Sequence, residues 1–296
     1  MKMAEQAVLV PIRMTRWSNK YSDKKLSGEI AELKKARPGT IRANVDLTDN
    51  RAALELASLY GRINNGLIKK LTLPWRTGTH LLPANLIDEF EKQWNESVIK
   101  WDTLIEELRV TYDASVEAAR KEITGLGLVF NEHRYPSVDE VISKYSIEKD
   151  TYELLTRPEN VNDLRIDIGQ QRADSMKRAI EEKMEAAAAD ANRHVQERIV
   201  KALSALVDGL QRFGTKEEGH DRTSTFRDYT VTKLGEIATV CQHLNVTDNG
   251  VIHTAIQDIK RDLSDLNPEV LREDSSQRRN VGTKAKKIIA DLEGLY

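Results

Sequence analysis

GLQRFGTK, residues 209–216, comes within one transposition of a phosphate-cradling loop. The P-loop pattern G-x-x-x-x-G-K-[ST] puts its lysine directly after the glycine bend, where the amine reaches the phosphates. Here Thr215 and Lys216 stand in the reverse order, and the segment ends an amphipathic helical pattern where a P-loop follows a strand. It is not expected to hold a nucleotide. The six histidines do not cluster. Cys241 and His243 are two apart in a helical pattern and point to different faces. Asp190 and His194 share a face, but a ferritin-like di-iron bundle needs two Glu-x-x-His motifs on facing helices, and the sequence does not carry two. Neither G-x-S-x-G nor H-E-x-x-H occurs. Cys241 lies in an apolar stripe with Ile237 and Leu244, the setting of an inert core thiol. Glu106-Glu107 and Glu181-Glu182-Glu185 fall on polar helical faces, where charge is solvated. The expectation is a protein with no catalytic residues, no metal and no cofactor.

The basic residues offer more. Arg13, Arg16, Lys20, Lys24 and Lys25 surround Trp17 and Tyr21, and interleaved aromatic and basic groups can stack bases and hold phosphates. A second cluster comprises Arg278, Arg279, Lys284, Lys286 and Lys287. The net charge of −2 conceals an asymmetry: residues 1–80 carry 15 Lys+Arg against 7 Asp+Glu, the remainder 30 against 40. A basic end can meet phosphate, or it can meet the protein's own acidic body, within or between subunits. Two functions follow as expectations. One is a non-enzymatic scaffold whose partner is itself, assembled head to tail through opposite charges. The other is a nucleic-acid-binding accessory that uses Arg13, Arg16, Trp17, Lys20, Lys24 and Lys25.

These residues must be positioned by helices. Aromatics are 5% of the chain, too few for a large β-sandwich or barrel, and 31% charged residues suit long solvated helices. One cysteine excludes an internal disulfide and fits a reducing compartment. No apolar run has the roughly 18 residues of a membrane span, and the N-terminal apolar run is too short for a secretory signal. A soluble, cytoplasmic protein without membrane contact is expected.

The fold class reads as mainly α with minor β. An α/β base (1–82) comes first, then a long antiparallel helical coiled-coil stalk (83–213) bearing a small α/β cap at about 125–169, then a C-terminal helical bundle (214–296). In the base, 7–17 and 40–47 have strand composition, and Pro11 would confine the first to an edge. Asp49 is the expected cap of a helix over 50–71. Ile87, Phe90, Trp94, Val98, Trp101, Ile105, Leu108, Tyr112, Val116, Ala119 and Ile123 then repeat at the period of a straight α-helix. Met176 to Phe213 carry a similar stripe, narrowed by alanines, and the two predict an antiparallel pair. In the cap, Ser137 and Glu140 form a capping-box pattern, and SIEKDTYELLTRP with DLRIDIG reads as a β pair. Helices are expected at about 223–245, 250–266 and 268–295, the last capped by Asn267 with Pro268 at its first position. LTLPWRTGTHLLP, residues 71–83, reads as a structural corner. Pro74 and Pro83 stop two helices, Gly78 permits the reversal, and Trp75, Leu81 and Leu82 cover the base of the helical pair.

MTRWSNKYSDKKL, the corner ending in Leu81-Leu82-Pro83, the long Glu/Lys-rich helix and FNEHRYPS resemble, in that order, an uncharacterised helical family of phages, prophages and plasmids. The resemblance covers roughly residues 8–210. It supplies no catalytic residues. It implies a place beside a MoxR-type AAA+ ATPase or a von Willebrand A-type protein, next to which members are often encoded.

Overall fold

A computed structural model describes residues 3–37, 39–125, 129–155, 170–212, 228–264 and 266–294. In chain order, helix α1 (Met3–Gln6) leads into strand β1 (Ala7–Thr15), then β2 (Lys20–Asp23), helix α2 (Lys24–Leu33) and β3 (Ala43–Asp46). Helix α3 (Arg51–Arg62) passes through a π-helical stretch, Ile63–Ile68, into the short α4 (Lys69–Leu71). Strands β4 (Leu73–Arg76) and β5 (Thr79–Pro83) follow, and a 3-10 turn starts the 39-residue α5 (Ile87–Gly125). Then come α6 (Val138–Ile142), β6 (Ser146–Lys149) and the 43-residue α7 (Gln170–Arg212). Helices α8 (Asp228–Leu244), α9 (Gly250–Asp262), α10 (Pro268–Glu273) and α11 (Ser275–Glu293) complete the described part. The protein is mainly α with small antiparallel sheets. DLRIDIG, residues 213–216 of the near-P-loop and the polar stretch after Phe213 lie outside the described residues.

Local chemistry fixes where the elements begin. Ser137 and Glu140 close a reciprocal capping box on α6. Asn267 caps α10 with Pro268 at its first position, and Asp274 both ends α10 and caps α11. Helix α3 is capped by Asn50 in place of the expected Asp49. An amide can accept and donate at once: the Asn50 oxygen accepts from the Ala53 N–H while its Nδ2 donates to Thr111 and Ser115 on α5. A carboxylate there could only accept.

The chain forms two compact units interleaved along the sequence, so they do not follow the expected division at 82 and 213. The first comprises residues 1–11, 69–88 and 151–296. In it Ala7–Pro11 pair antiparallel with Thr79–Pro83, and β4 and β5 form a hairpin. Helix α7 packs on α8, α9 and α11 around Val195, Ile199, Leu203, Leu206, Leu234 and Ile288, all buried. Each such side chain stabilises the fold by about 1.5–3 kcal/mol.

The second unit comprises residues 12–68 and 89–150. Here α5 buries Phe90, Trp94, Trp101, Leu104, Leu108 and Tyr112. Trp101 meets the edge of Tyr145, and Tyr112 the edge of Trp17. The Tyr112 hydroxyl donates to the Pro136 carbonyl. Strand β6 pairs with Ile12–Thr15, which ties it back to the N-terminal segment; DLRIDIG, the partner expected of this stretch, lies outside the described residues. Each long helix is covered within its own unit, α5 in the second and α7 by α8, α9 and α11 in the first.

Pro11 is not on an edge strand. It lies between the Leu9–Glu153 bridge and the Ile12–Lys149 pair, where pairing on that side of β1 is interrupted and no backbone donor is needed.

Candidate interaction surface

The N-terminal basic residues all belong to the second unit, and they divide into inward and outward groups. Trp17, at 6% exposure, is core against Tyr112, 5.9 Å between ring centroids. The Arg16 guanidinium lies 5.2 Å over the Tyr60 ring, and Arg134 lies 4.1 Å over Tyr21. With Trp17 buried and a cation already over Tyr21, the expected base-stacking use of these two rings is not available. Lys20 faces Asp46 at 3.4 Å, and Lys25 faces Glu29 at 3.9 Å, both exposed pairs of small energetic weight. Arg13 is exposed on β1 opposite Glu148, and Lys24 is exposed at the first position of α2.

What stands beside these cations was not singled out from the sequence. In α2, Leu26, Ile30 and Leu33 recur at steps of four and three, one helical face. The helix is fastened on another side. Asp23 caps it through the Leu26 N–H, Ser27 donates to the Asp23 carbonyl and accepts from the Ala43 N–H, and Ala31 is buried. Leu26 stays 37% exposed and Leu33 78%. Lys24, Lys25, Lys34, Lys35, Arg37 and Arg42 surround that stripe in sequence and are exposed. Two lysines at a helix N-terminus oppose the helix dipole, so folding alone does not account for them. Segment 12–68 carries 11 Lys+Arg against 6 Asp+Glu.

The other segment of the same unit has the opposite sign, with 8 Lys+Arg against 14 Asp+Glu in 89–150. On α5, Ile99, Thr103, Glu106, Val110, Asp113 and Glu117 form one line at steps of four and three, and all are exposed. Ile99 is 68% and Val110 81% exposed. Asp102 and Glu107 flank it.

The other candidates are absorbed by the fold. Residues 71–83 are a β-hairpin and not a stop between two helices. Gly78, at φ +72°, makes its turn, Pro74 sits exposed in β4, Trp75 is half-buried, and Pro83 ends β5. Leu81 and Leu82 are buried in the first unit. Burial lowers the His80 pKa and keeps its ring neutral. Arg198 of α7 reaches across to donate to the carbonyls of Lys70 at 3.1 Å and Thr72 at 2.7 Å, which fixes the entry to the hairpin. Cys241 is buried, and loss of solvation pushes its thiol up to about 12, the mark of an unreactive sulfur. In the C-terminal cluster, Arg278 is 5% exposed and donates to the carbonyls of Leu271 and Arg272 at the end of α10. Lys284 pairs with Asp262 at 2.9 Å, Arg279 bonds Ser275, and Lys286 and Lys287 face water. Asp190 pairs with Arg193 and His194 faces Glu197, neither converging with a further ligand pair. Among the described residues no group of three or more His, Cys, Asp or Glu is placed to hold a metal ion. No helix among them is long and apolar enough to cross a membrane.

Comparison with models of known protein families, with curated proteins and with solved structures gives no match, so the family resemblance rests on the sequence motifs alone.

Proposed function

We propose that the protein is a non-enzymatic interaction protein that self-assembles. One observation carries the reading: on the amphipathic helix α2, Leu33 is 78% exposed and Leu26 37%, among the exposed charges of Lys25, Glu29, Glu32, Lys34 and Lys35. Exposed apolar groups within polar rims are the signature of association surfaces. Size exclusion with light scattering on the purified chain at micromolar concentration, in low salt and in molar salt, tests it. Particles larger than 33.6 kDa in low salt are expected; a 33.6 kDa monomer in both would overturn the reading. The phage or mobile-element role, as adaptor to a MoxR-type AAA+ ATPase or a von Willebrand A-type protein, is part of the proposal through the resemblance only. Co-elution of the purified proteins tests it.

A second reading rests on the exposed Arg13, Lys20, Lys24 and Lys25, which can neutralise phosphates without stacking bases. It predicts retardation of DNA or RNA that weakens steeply with salt, because each neutralised phosphate releases counterion. No retardation at low salt would remove it.

A further inference from the structure

Resting on the nucleic-acid reading, we infer that Arg16 and Arg134, each laid on a tyrosine ring, grip the phosphates of a single-stranded nucleic acid. The Arg16 guanidinium stands 5.2 Å over Tyr60, and that of Arg134 stands 4.1 Å over Tyr21. Both arginines are exposed and both rings are half-buried. One buried link gathers them in the second unit. Trp17, next to Arg16, meets the edge of Tyr112, whose hydroxyl holds the Pro136 carbonyl two residues beyond Arg134.

Three other arginines of the unit show the contrast. Arg51 faces Glu55, Arg109 faces Asp139 and Arg120 faces Glu132, all at 2.9 Å or less. Among the described residues neither Arg16 nor Arg134 has a carboxylate partner. The 3-10 turn Glu132–Arg134, started by Asn131, separates the two charges it carries: Glu132 goes to Arg120, and Arg134 goes to the Tyr21 ring.

A guanidinium resting flat on a ring keeps its N–H edge for a ligand and loses little further freedom when one binds. Its planar fork matches two oxygens of one phosphate. Its outer face can take an unstacked base, which a single strand offers and a duplex does not. The tyrosines thus act through the arginines and stack no base themselves. The surroundings select the partner. No large apolar side chain is exposed in residues 13–23 or 131–137, so an anchor for a protein or a lipid surface is missing there. A phosphate backbone asks only for donors and positive charge, which the exposed Arg13 and Lys24 extend along the same segment.

Fluorescence anisotropy of a labelled oligothymidylate of about 20 nucleotides, longer than the usual single-strand site, tests the grip on the intact chain. Arg16→Ala and Arg134→Ala are each expected to weaken binding about tenfold, as a charged hydrogen bond is lost. Each should also reduce the slope of log affinity against log salt by about 0.7, the share of one phosphate on a single strand. Tyr60→Leu and Tyr21→Leu remove the rings and leave every charge, so affinity should fall about threefold with the slope unchanged. Arg16→Lys and Arg134→Lys, which keep the charge without the fork, should likewise weaken binding at constant slope, and they hold the test if a tyrosine variant fails to fold. Arg51→Ala, which removes a paired and exposed arginine, is expected to bind as wild type does. Wild-type affinity and slope in both Arg16→Ala and Arg134→Ala would overturn the grip while nucleic-acid binding stands on the lysines. A wild type that does not bind the oligonucleotide at low salt would overturn the nucleic-acid reading itself. Equal affinity for the duplex, for polyglutamate or for vesicles of anionic lipid would overturn the choice of a single strand.

Discussion

Two basic clusters of similar make-up, residues 13–25 and 278–287, end in opposite circumstances. Each has one buried member that matters. In the first it is Trp17, packed against Tyr112; in the second it is Arg278, whose guanidinium holds the Leu271 and Arg272 carbonyls. The difference lies in what the neighbouring helix does with its apolar face. On α11, Val281, Ala285, Ile288 and Leu292 are all buried, so Arg279, Lys286 and Lys287 are the water side of a completed amphipathic helix. On α2 only Ala31 is buried, and Leu33 stands in solvent among the lysines. A run of cations is therefore a poor guide to function by itself. The state of the apolar stripe beside it separates a solvated face from an association surface.

The contrast predicts a graded series. The largest effect belongs to Trp17→Ala, which should cost about 3–5 kcal/mol by leaving a cavity beside Tyr112. Urea unfolding measures it. An unchanged midpoint, with lost nucleic-acid binding, would return Trp17 to the surface and erase the division between inward and outward residues. Arg278→Ala comes next, at about 2–3 kcal/mol, because it removes charged hydrogen bonds from two carbonyls near a buried site. Arg279→Ala, one residue along on the exposed side, should stay within about 0.5 kcal/mol. Equal losses at 278 and 279 would mean that Arg278 does not hold the end of α10.

Tyr112 gives a smaller effect with a pH signature. Burial pushes its phenol from the ordinary 10 up to about 12 in the folded chain. The stability it confers is full below pH 10 and is lost as pH rises from 10 through 12, because the unfolded chain releases the proton first. Tyr112→Phe should cost about 1 kcal/mol at neutral pH through the lost bond to the Pro136 carbonyl. It should also flatten the decline between pH 10 and 12. Tyr145, likewise held up to about 12, and Cys241, raised from 9 to about 12, leave a residual slope of the same sign. Denaturant midpoints of wild type and variant across pH 8–12 check the difference. Parallel curves would show that the Tyr112 proton is not protected.

The fold was legible wherever local pattern dictates local structure. The periodicity of 87–123 placed α5, Asn267-Pro268 placed α10, and Ser137 with Glu140 placed the box on α6. It was illegible wherever a choice of partner decides. Two stripes of similar length suggested one pair, but a stripe does not encode that α8, α9 and α11 cover α7 within its own unit. Residues 71–83 misled for a related reason. Prolines read as helix stops also fit an exposed strand such as β4 and the last position of β5. The interaction surface was half visible: the cations were evident, whereas Leu26, Ile30 and Leu33 form a pattern that in most helices would be core. A stripe shows that a helix has an apolar face and says nothing of whether the chain supplies its cover.

The smallest predicted change in stability therefore tests the comparison most directly. Leu33→Ser and Lys25→Glu replace exposed side chains, and each should alter the unfolding free energy by no more than about 0.5 kcal/mol. The matching change on α11 is Ile288→Ser, since Ile288 is buried in the first unit. It should destabilise by at least about 2 kcal/mol, as a buried aliphatic group is lost and a hydroxyl is left among apolar neighbours. Stability and association should thus separate: the α11 change is felt in the denaturant midpoint, and the α2 changes only in particle mass at low salt. If Leu33→Ser lowers the midpoint as far as Ile288→Ser does, then Leu33 is covered in the folded chain. The apolar stripe of α2 would then be core like that of α11, and the difference between the two clusters would vanish.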